Sequence, residues 1–421
     1  MLNTAVRVRF FYFVSVLLFI ALSVCGLYID VINPDGINWH TRSYTFFSSL
    51  LTKSFSSTYQ AYHPGTTLMW ISGPVVYGVG QYYLTNEQEL YSKSTFLTYD
   101  YAAKLSVIVI SSLIFLLSLK LLHSLINDKS LVLFSMLIIC EPFLIGERRL
   151  YHLDYLMSYL LFVSFLFFYT YFFVNNKNQN LIFGVLFFVL SFLTKTTTLL
   201  FLPIPYLMAF VSNACLKTKV LTIVKMLLLT AVCVLAFFPP FWKRPLKSIP
   251  KYTKQIISGI TSVGISGQKE YGYSGEKAAL ILADKIEEFD WYYYLLALKY
   301  QLSPVLQLII VISILLFIYN IFVLTSKFIF RKKITLPKNW LLALFCLLIL
   351  SIFITALSMA TKKNERYAIV YIPYIMLLTS YVIGTLTTKK IYLLLGLYLI
   401  SLPIQYKQIY PYFFLELLLH R

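Results

Sequence analysis

The feature that most constrains this chain is a series of continuous apolar blocks, many of them close to the roughly 20 residues that a helix needs to cross a bilayer. The first block, Phe10 to Ile29, follows Arg7 and Arg9. We interpret it as a retained helix, because it is too long for the apolar region of a signal peptide and lacks a clear cleavage site. Since 59% of the residues are hydrophobic and 13% are charged, a water-soluble fold is excluded.

The order of the blocks predicts an all-α polytopic membrane protein with about eleven transmembrane helices, in which residues 1–421 form a single transmembrane domain. The predicted helices lie near 10–29, 104–123, 131–147, 155–174, 181–194, 196–212, 220–240, 303–326, 339–360, 367–387 and 391–405. Lys and Arg concentrate in alternate loops, so the positive-inside rule places the N-terminus in the cytoplasm. The long hydrophilic segments 30–103 and 241–302 are then outer loops, and the helical spacing of apolar residues over 38–52 predicts an interfacial helix in the first.

The formal net charge of +19 does not indicate a nucleic-acid partner, because the cations lie in loops between apolar blocks, where basic residues set membrane orientation. The five cysteines lie in or beside apolar blocks, with no CxxC pair and no His/Cys spacing typical of a metal site. Neither disulfides nor zinc are therefore predicted.

The first outer loop carries three polar candidates: Asp35, Arg42 and His63. Asp35 stands where the interfacial helix would begin, so its carboxylate is explained either by catalysis or by capping of free backbone N–H groups. In His63-Pro64-Gly65, the proline and the glycine have structural explanations near a helix start, whereas the histidine is either a satisfied polar residue or a functional one. We predict that Asp35 is catalytic and that His63 and Arg42 position the substrate.

A short charged turn, Glu147 to Asp154, separates two apolar helices. A carboxylate that enters an apolar helix is costly unless it is paired or lines a polar cavity. We therefore predict Asp154 as a second catalytic residue, with pairing to Arg149 or capping of the following helix as the structural alternative.

Lys195 lies at a junction between two apolar helices, where an ammonium needs an anionic partner such as the phosphate of a lipid carrier. Snorkelling to the interface is the alternative.

Arg366, directly before another apolar helix, can clamp a phosphate with its planar guanidinium, and Tyr367 supplies a hydroxyl, although basic residues also act as interfacial anchors. We predict Lys195, Arg366, Arg149 and Tyr367 as ligands of the donor phosphate.

Taken in order, these motifs resemble the GT-C glycosyltransferases, in the branch of protein O-mannosyltransferases and aminoarabinose transferases. The matching pieces are Asp35, His63-Pro64-Gly65, Arg149 with Asp154, Leu193-Thr194-Lys195, and Arg366-Tyr367 with Pro373. The resemblance implies a GT-C fold, and an inverting sugar transfer on the non-cytoplasmic face in which Asp35 acts as base or positions the acceptor. The chain departs from the family at Gly36, where a second acid is usual, and at Gly65, where many mannosyltransferases have proline.

The predicted function is an inverting hexosyl- or pentosyltransferase that moves a sugar from a polyisoprenyl-phosphate donor to a lipid, glycan or protein acceptor. The alternatives are a lipid-linked glycan transporter or flippase, in which paired repeats are common, and an O-antigen ligase or polymerase-like enzyme, which normally uses a diphosphate donor. The expected location is the bacterial inner membrane, among membrane lipids, with the active site on the periplasmic face. No cofactor is assigned and no compact metal motif exists, although convergence of Asp35, His63 and Asp154 on a divalent cation is left open.

Overall fold

The computed structural model describes residues 4–27, 34–61, 63–86, 93–259, 271–272, 292–329, 340–360 and 363–410. The architecture of these residues is helical, apart from a two-residue parallel pairing of Tyr271–Gly272 with Lys363–Asn364. The all-α prediction is therefore confirmed. Much of the predicted loop 241–302, and short parts of 30–103, lie outside the described residues.

The helices are described in chain order. They are α1 (Thr4–Val24), α2 (Pro34–Leu51), α3 (Thr66–Thr85), α4 (Lys93–Leu125), α5 (Asp128–Cys140), α6 (Pro142–Arg149), α7 (Leu153–Phe173), α8 (Asn178–Thr194), α9 (Pro203–Val211), α10 (Leu216–Phe237), α11 (Pro245–Gly259), α12 (Tyr293–Gln301), α13 (Pro304–Ile329), α14 (Trp340–Met359), α15 (Ile372–Ile383) and α16 (Thr388–Tyr410). Short 3-10 helices lie at Phe55–Thr58, Thr196–Phe201, Pro239–Phe241 and Glu365–Val370.

Six of the described helices are long and apolar enough to cross a membrane, namely α1, α4, α7, α10, α13 and α14. The pair α5 and α6 qualifies together as a seventh span that is bent by 58°. Shorter apolar helices occupy Asn178–Thr194, Thr196–Val211 and Ile372–Ile383. The chain is thus a multi-span membrane protein, and the count of about eleven spans stays a prediction.

The centre of the bundle is α7, in which nearly every side chain is buried. A helix that is hydrophobic all round is expected in such a place. It packs against α15, which is also buried, and the rings of Phe162 and Tyr374 meet edge to face with centroids 5.4 Å apart. By contrast, α10 and α13 expose large apolar side chains such as Leu228 and Phe322, as helices that face lipid do.

The helix predicted over 131–147 is interrupted at Glu141-Pro142, where α5 ends and α6 begins. That prediction is wrong here: Pro142 has no backbone N–H to donate to the preceding turn, which disfavours a continuous helix, and it occupies the start of α6. The buried Glu141 carboxylate accepts hydrogen bonds from the Ser303 amide at 2.8 Å, the Ser303 hydroxyl at 2.9 Å and the Tyr398 hydroxyl at 3.0 Å. These bonds stabilise the break.

The helix predicted near 38–52 is present as α2, and it begins earlier, at Pro34. Proline in the first position and Asp35 in the first turn both favour a helix N-terminus. Trp39, Ser43 and Phe46, spaced by four and three residues, are buried on one face of the helix. Their burial fixes α2 against the bundle and so positions Asp35.

Candidate active site

Two aspartates from distant parts of the sequence meet at one end of the bundle. Asp35 lies in the first turn of α2, and Asp154 lies in the first turn of α7. Arg366 contacts both: its Nη2 is 2.6 Å from Asp35 Oδ2, and its Nε is 3.4 Å from Asp154 Oδ2. A guanidinium presents several donors in one plane, so a single side chain can join the two carboxylates.

His152, in the turn between α6 and α7, is a second bridge. Its Nε2 is 3.3 Å from Asp35 Oδ2, and its Nδ1 is 3.0 Å from Asp154 Oδ2. Burial lowers the pKa of His152, but the charge of Asp154 and the hydrogen bonds with both aspartates outweigh burial and raise the pKa above the ordinary 6.5. A protonated ring donates from both nitrogens and can serve both carboxylates, whereas in the neutral ring Nδ1 accepts the Asp154 amide N–H at 3.3 Å as the N-cap of α7.

The same contacts stabilise the ionised form of Asp35. The hydrogen bond from His152 holds the pKa of Asp35 far below its usual range, burial opposes this shift, and Arg366 adds to it. For Arg366, burial lowers the pKa, but the charges of Asp154 and Asp35 outweigh burial and raise it. The Asp35 side chain is 45% exposed, so an ionised carboxylate is open to a molecule outside the bundle.

The buried Asp154 also forms an ion pair with Lys195 Nζ. Lys195 has an extended backbone between the end of α8 and the 3-10 helix Thr196–Phe201. Its Nζ lies 4.1 Å from the centre of the Tyr367 ring, within the range of a cation–π interaction. The structure therefore brings Lys195 and Tyr367 into the same cluster as the two aspartates.

The His63-Pro64-Gly65 turn lies against the Lys195 junction. His63 Nδ1 is 3.0 Å from Thr196 Oγ1, and the Gly65 amide donates to the Thr194 carbonyl at 3.2 Å. Gly65 has a φ of +60°, and a Cβ built there would lie 2.1 Å from the Trp39 ring. Glycine is therefore required for both the backbone conformation and the close approach to α2.

The structure places the other two predicted residues as follows. The Arg42 guanidinium carbon lies 4.7 Å from the centre of the Trp39 ring, in a cation–π interaction. Arg149 is half-buried at the end of α6. The ion-pair contacts described above include neither arginine, and their proposed roles remain predictions.

Sequence reasoning missed His152 as a site residue. A detectable signal was its position two residues before an aspartate that enters an apolar helix, at the N-cap of α7. It also missed Glu147, a buried carboxylate of α6 that interacts electrostatically with Asp154 and with the cations of the cluster.

The cluster holds two carboxylates, Asp35 and Asp154, against the cationic groups of Lys195, Arg366 and His152. Cations arranged in this way also suit a phosphate, because charge-assisted bonds to phosphate oxygens are strong and guanidinium binds them in bidentate fashion. Among the described residues, no group of three or more His, Cys, Asp or Glu side chains could hold a metal ion.

The fold is similar to that of two crystal structures of ArnT from Cupriavidus metallidurans. The structure bound to undecaprenyl phosphate matches with a TM-score of 0.57 and 11% identity, and the alignment covers 95% of this chain and 64% of that chain. The apo-state structure matches with a TM-score of 0.55 and 12% identity, over the same shares of each chain. The chain thus spans 64% of the length of the ArnT chains it matches.

No protein-family model matches the sequence, and no significant match to a curated protein was found. The fold is nevertheless clear from the structural comparison, because nearly the whole chain superposes on the ArnT architecture. The chain therefore has the GT-C fold that the order of its motifs implied.

Proposed function

We propose that this protein is an inverting glycosyltransferase that moves a sugar from a polyisoprenyl-phosphate donor to an acceptor hydroxyl. The observation that carries the proposal is the convergence of Asp35, Asp154, Lys195 and Arg366 at one end of a GT-C fold. ArnT, which has a similar fold, has been crystallised with undecaprenyl phosphate. A lipid phosphate as donor is in keeping with the cations of this cluster.

In this proposal Lys195 and Arg366 bind the donor phosphate. The Arg366 side chain is 23% exposed, so some of its N–H groups are accessible to a phosphate while Nε keeps its contact with Asp154. A phosphate that binds there would compete with Asp35 for the guanidinium, since both are anions that accept the same N–H groups. Donor binding would therefore loosen the ion pair between Asp35 and Arg366.

Asp35 is the proposed general base. While Arg366 and His152 hold it, Asp35 is a weak base, because the pKa of its carboxyl lies far below the operating range. Withdrawal of Arg366 toward a phosphate would raise this pKa. Base strength would then depend on the presence of the donor, which disfavours proton abstraction when no sugar is available.

The chemical step follows from these positions. The acceptor oxygen forms a bond to the anomeric carbon on the face opposite the phosphate while its proton passes to the Asp35 carboxylate. The bond between the anomeric carbon and the phosphate oxygen breaks, and the electron pair leaves with the phosphate, where Lys195 and Arg366 stabilise the charge. The configuration at the anomeric carbon is inverted.

Asp154, predicted as the second catalytic residue, is proposed to act by holding Lys195 and His152 in place. It is buried, with 1% of its side chain exposed, so it is less accessible to an acceptor than Asp35.

We further propose that the site opens to the periplasmic side of a bacterial inner membrane. Lys120, Lys389 and Lys390 at the other end of the bundle support this orientation by the positive-inside rule.

The test supplies the purified chain with radiolabelled sugars on polyprenyl monophosphate and, in parallel, on polyprenyl diphosphate. We expect release or transfer of sugar from a monophosphate donor, and loss of this turnover in Asp35→Asn. Asp128→Asn is the matched control, because Asp128 is the first residue of α5 and its side chain is 86% exposed. Use of the diphosphate alone would favour a ligase or polymerase, and donor movement across vesicles without transfer would favour a flippase.

A further inference from the structure

Helix α11 carries a basic face that the proposed chemistry does not use. Lys247, Lys251 and Lys254 are spaced by four and three residues, so they share one face, and all three are exposed. None of them forms an ion pair within the part of the chain that the structure describes. The sequence contains no acidic residue between Asp154 and Glu270, so no acid of α8, α9, α10 or α11 offsets this charge.

A second face of α11 is apolar and open. Leu246 is 89% exposed and Ile257 is 55% exposed, and Ile249 and Thr253 lie between them at helical spacing. A helix with apolar residues on one face and lysines on another is typical of helices that lie in the plane of a membrane surface. In such helices the apolar face enters the acyl boundary, and the lysines reach the headgroups.

A third face of the helix packs against the protein, which fixes the position of α11 on the bundle. Tyr252 is buried, its hydroxyl donates to the Ser56 carbonyl at 3.3 Å, and its ring lies 4.8 Å from that of Tyr59. The helix follows the span α10 after only the 3-10 helix Pro239–Phe241. The apolar face and the lysine face of α11 therefore lie just beyond the C-terminal end of α10.

The helix lies at the same end of the bundle as the candidate active site. Residues of α11, including Ile256, line an apolar cavity of about 260 Å³ together with Leu193, which lies two residues before Lys195, and Phe238. The positive-inside rule accounts for cations at the opposite end of the bundle, but not for a cluster of lysines at this end. An anionic lipid surface at this end would account for them.

We propose that α11 is a membrane-surface helix whose Lys247, Lys251 and Lys254 bind the phosphate headgroups of anionic phospholipids beside the active-site end of the bundle. The proposal does not rest on the proposed enzyme activity. A lysine near an anionic lipid surface strengthens binding by about 5-fold, so three lysines give a preference of up to about 100-fold for anionic over zwitterionic lipid. Salt reduces this preference by screening.

The test titrates the full chain in detergent with phosphatidylglycerol and with phosphatidylcholine, and measures bound lipid by native mass spectrometry. We expect the triple variant Lys247→Gln, Lys251→Gln, Lys254→Gln to lose about 10-fold or more of the preference for phosphatidylglycerol. The control variant Lys120→Gln, Lys389→Gln, Lys390→Gln removes the same charge from exposed lysines at the opposite end, and it should keep the preference within about 3-fold. Equal preferences in the wild type and the α11 variant would overturn the proposal.

Two further measurements test whether α11 binds lipid or free phosphate, and whether its apolar face contacts lipid. Millimolar inorganic phosphate should leave phosphatidylglycerol bound, because a free anion lacks the acyl chains that the open face receives. Displacement by phosphate would mean an ordinary anion site and would refute a lipid surface. Leu246→Asn should weaken both lipids alike, and unchanged binding of both would show that this face does not enter lipid.

Discussion

Because Lys195 forms an ion pair with Asp154, we expect Lys195→Met to lower both the free energy of unfolding and the affinity for the donor phosphate. The two effects can be measured separately. The Lys195 side chain is 5% exposed and that of Asp154 is 1% exposed, so the two charges depend on each other for solvation. Methionine keeps much of the length and apolar volume of lysine and removes the ammonium. The variant therefore leaves Asp154 with His152 and Arg366 as its remaining cationic contacts.

The magnitude follows from the burial of the pair. Removal of one member of a buried ion pair typically costs about 3–5 kcal/mol, because the other charge stays buried and uncompensated. Since Asp154 keeps two cationic neighbours, we expect the lower end, about 3 kcal/mol. Adding Asp154→Asn removes the uncompensated charge, so the double variant should be more stable than Lys195→Met alone, with a coupling free energy of about 1–3 kcal/mol.

Donor binding gives an independent readout. Loss of one hydrogen bond to a charged group costs about 1.5–3 kcal/mol, which weakens the Kd for undecaprenyl phosphate by about 10–150-fold. Lys104→Met is the matched control, because Lys104 is buried and lies 2.6 Å from Asp100, in a pair that is separate from the cluster. It should reduce stability while leaving the Kd unchanged.

The assay measures free energies of unfolding for the wild type, both single variants and the double variant in the same detergent, and lipid-phosphate affinity for each folded protein. If Lys195→Met unfolds like the wild type, the buried pair does not carry the expected energy. If Lys104→Met weakens the Kd as much as Lys195→Met does, the loss reflects general damage, and the phosphate role of Lys195 is refuted.

Three further predictions concern the surrounding residues. Asp35→Asn should lower turnover by about 10²–10⁴-fold with a change of less than about 1 kcal/mol in stability, measured by product formation and by unfolding. Because the folded-state pKa of His152 is raised, the stability from its bridge is fully present below pH 6.5 and is lost as pH rises through the raised value. Unfolding midpoints should fall as pH rises from 6.5 through that value, and His152→Gln should abolish this slope. Gly65→Ala should lower the unfolding midpoint by forcing a left-handed conformation, which costs about 1–2 kcal/mol, and by displacing the Trp39 ring. The control Gly78→Ala, with no atom within 4 Å of the added Cβ, should be neutral or stabilising, and equal losses in the two variants would contradict the assigned role of Gly65.

The sequence predicted those parts of the site in which a polar residue interrupts an apolar pattern. Lys195 between two apolar helices and Asp154 at the start of a third are energetically conspicuous, because a charge in such a place needs a partner. Asp35 was detectable through the periodicity of α2 behind it. The free-energy cost of an unpaired charge in an apolar segment can be recognised from the sequence at a single position. The structure brings these three residues together.

The partners themselves were less predictable. Arg148 and Arg149 are adjacent in the sequence, yet Arg148 is buried and donates to the Ile138 and Ile139 carbonyls at 3.3 and 3.0 Å. The backbone geometry of the short helix α6 determines which of the two arginines points into the bundle. The amino-acid sequence of this turn does not show which one does. His152 was missed for the same reason, since its two contacts depend on the approach of α2 to the start of α7.

The bend between α5 and α6 was missed although Pro142 marked it in the sequence. An apolar block with a single proline is compatible with a kinked or a broken span. The hydrogen bonds that Glu141 accepts from Ser303 and Tyr398, both far away in sequence, accompany the 58° break. Long-range bonds of this kind follow from tertiary packing and have no local sequence signal.

The proposed reaction, with Asp35 as its base, is tested by sugar release from a polyprenyl-monophosphate donor, measured for the purified wild type, Asp35→Asn and Asp128→Asn. We expect turnover by the wild type and by Asp128→Asn, and a loss of about 10²-fold or more in Asp35→Asn. Turnover by Asp35→Asn at the wild-type rate would contradict the assignment of the base, and a wild type inactive with every monophosphate donor would contradict the proposed reaction.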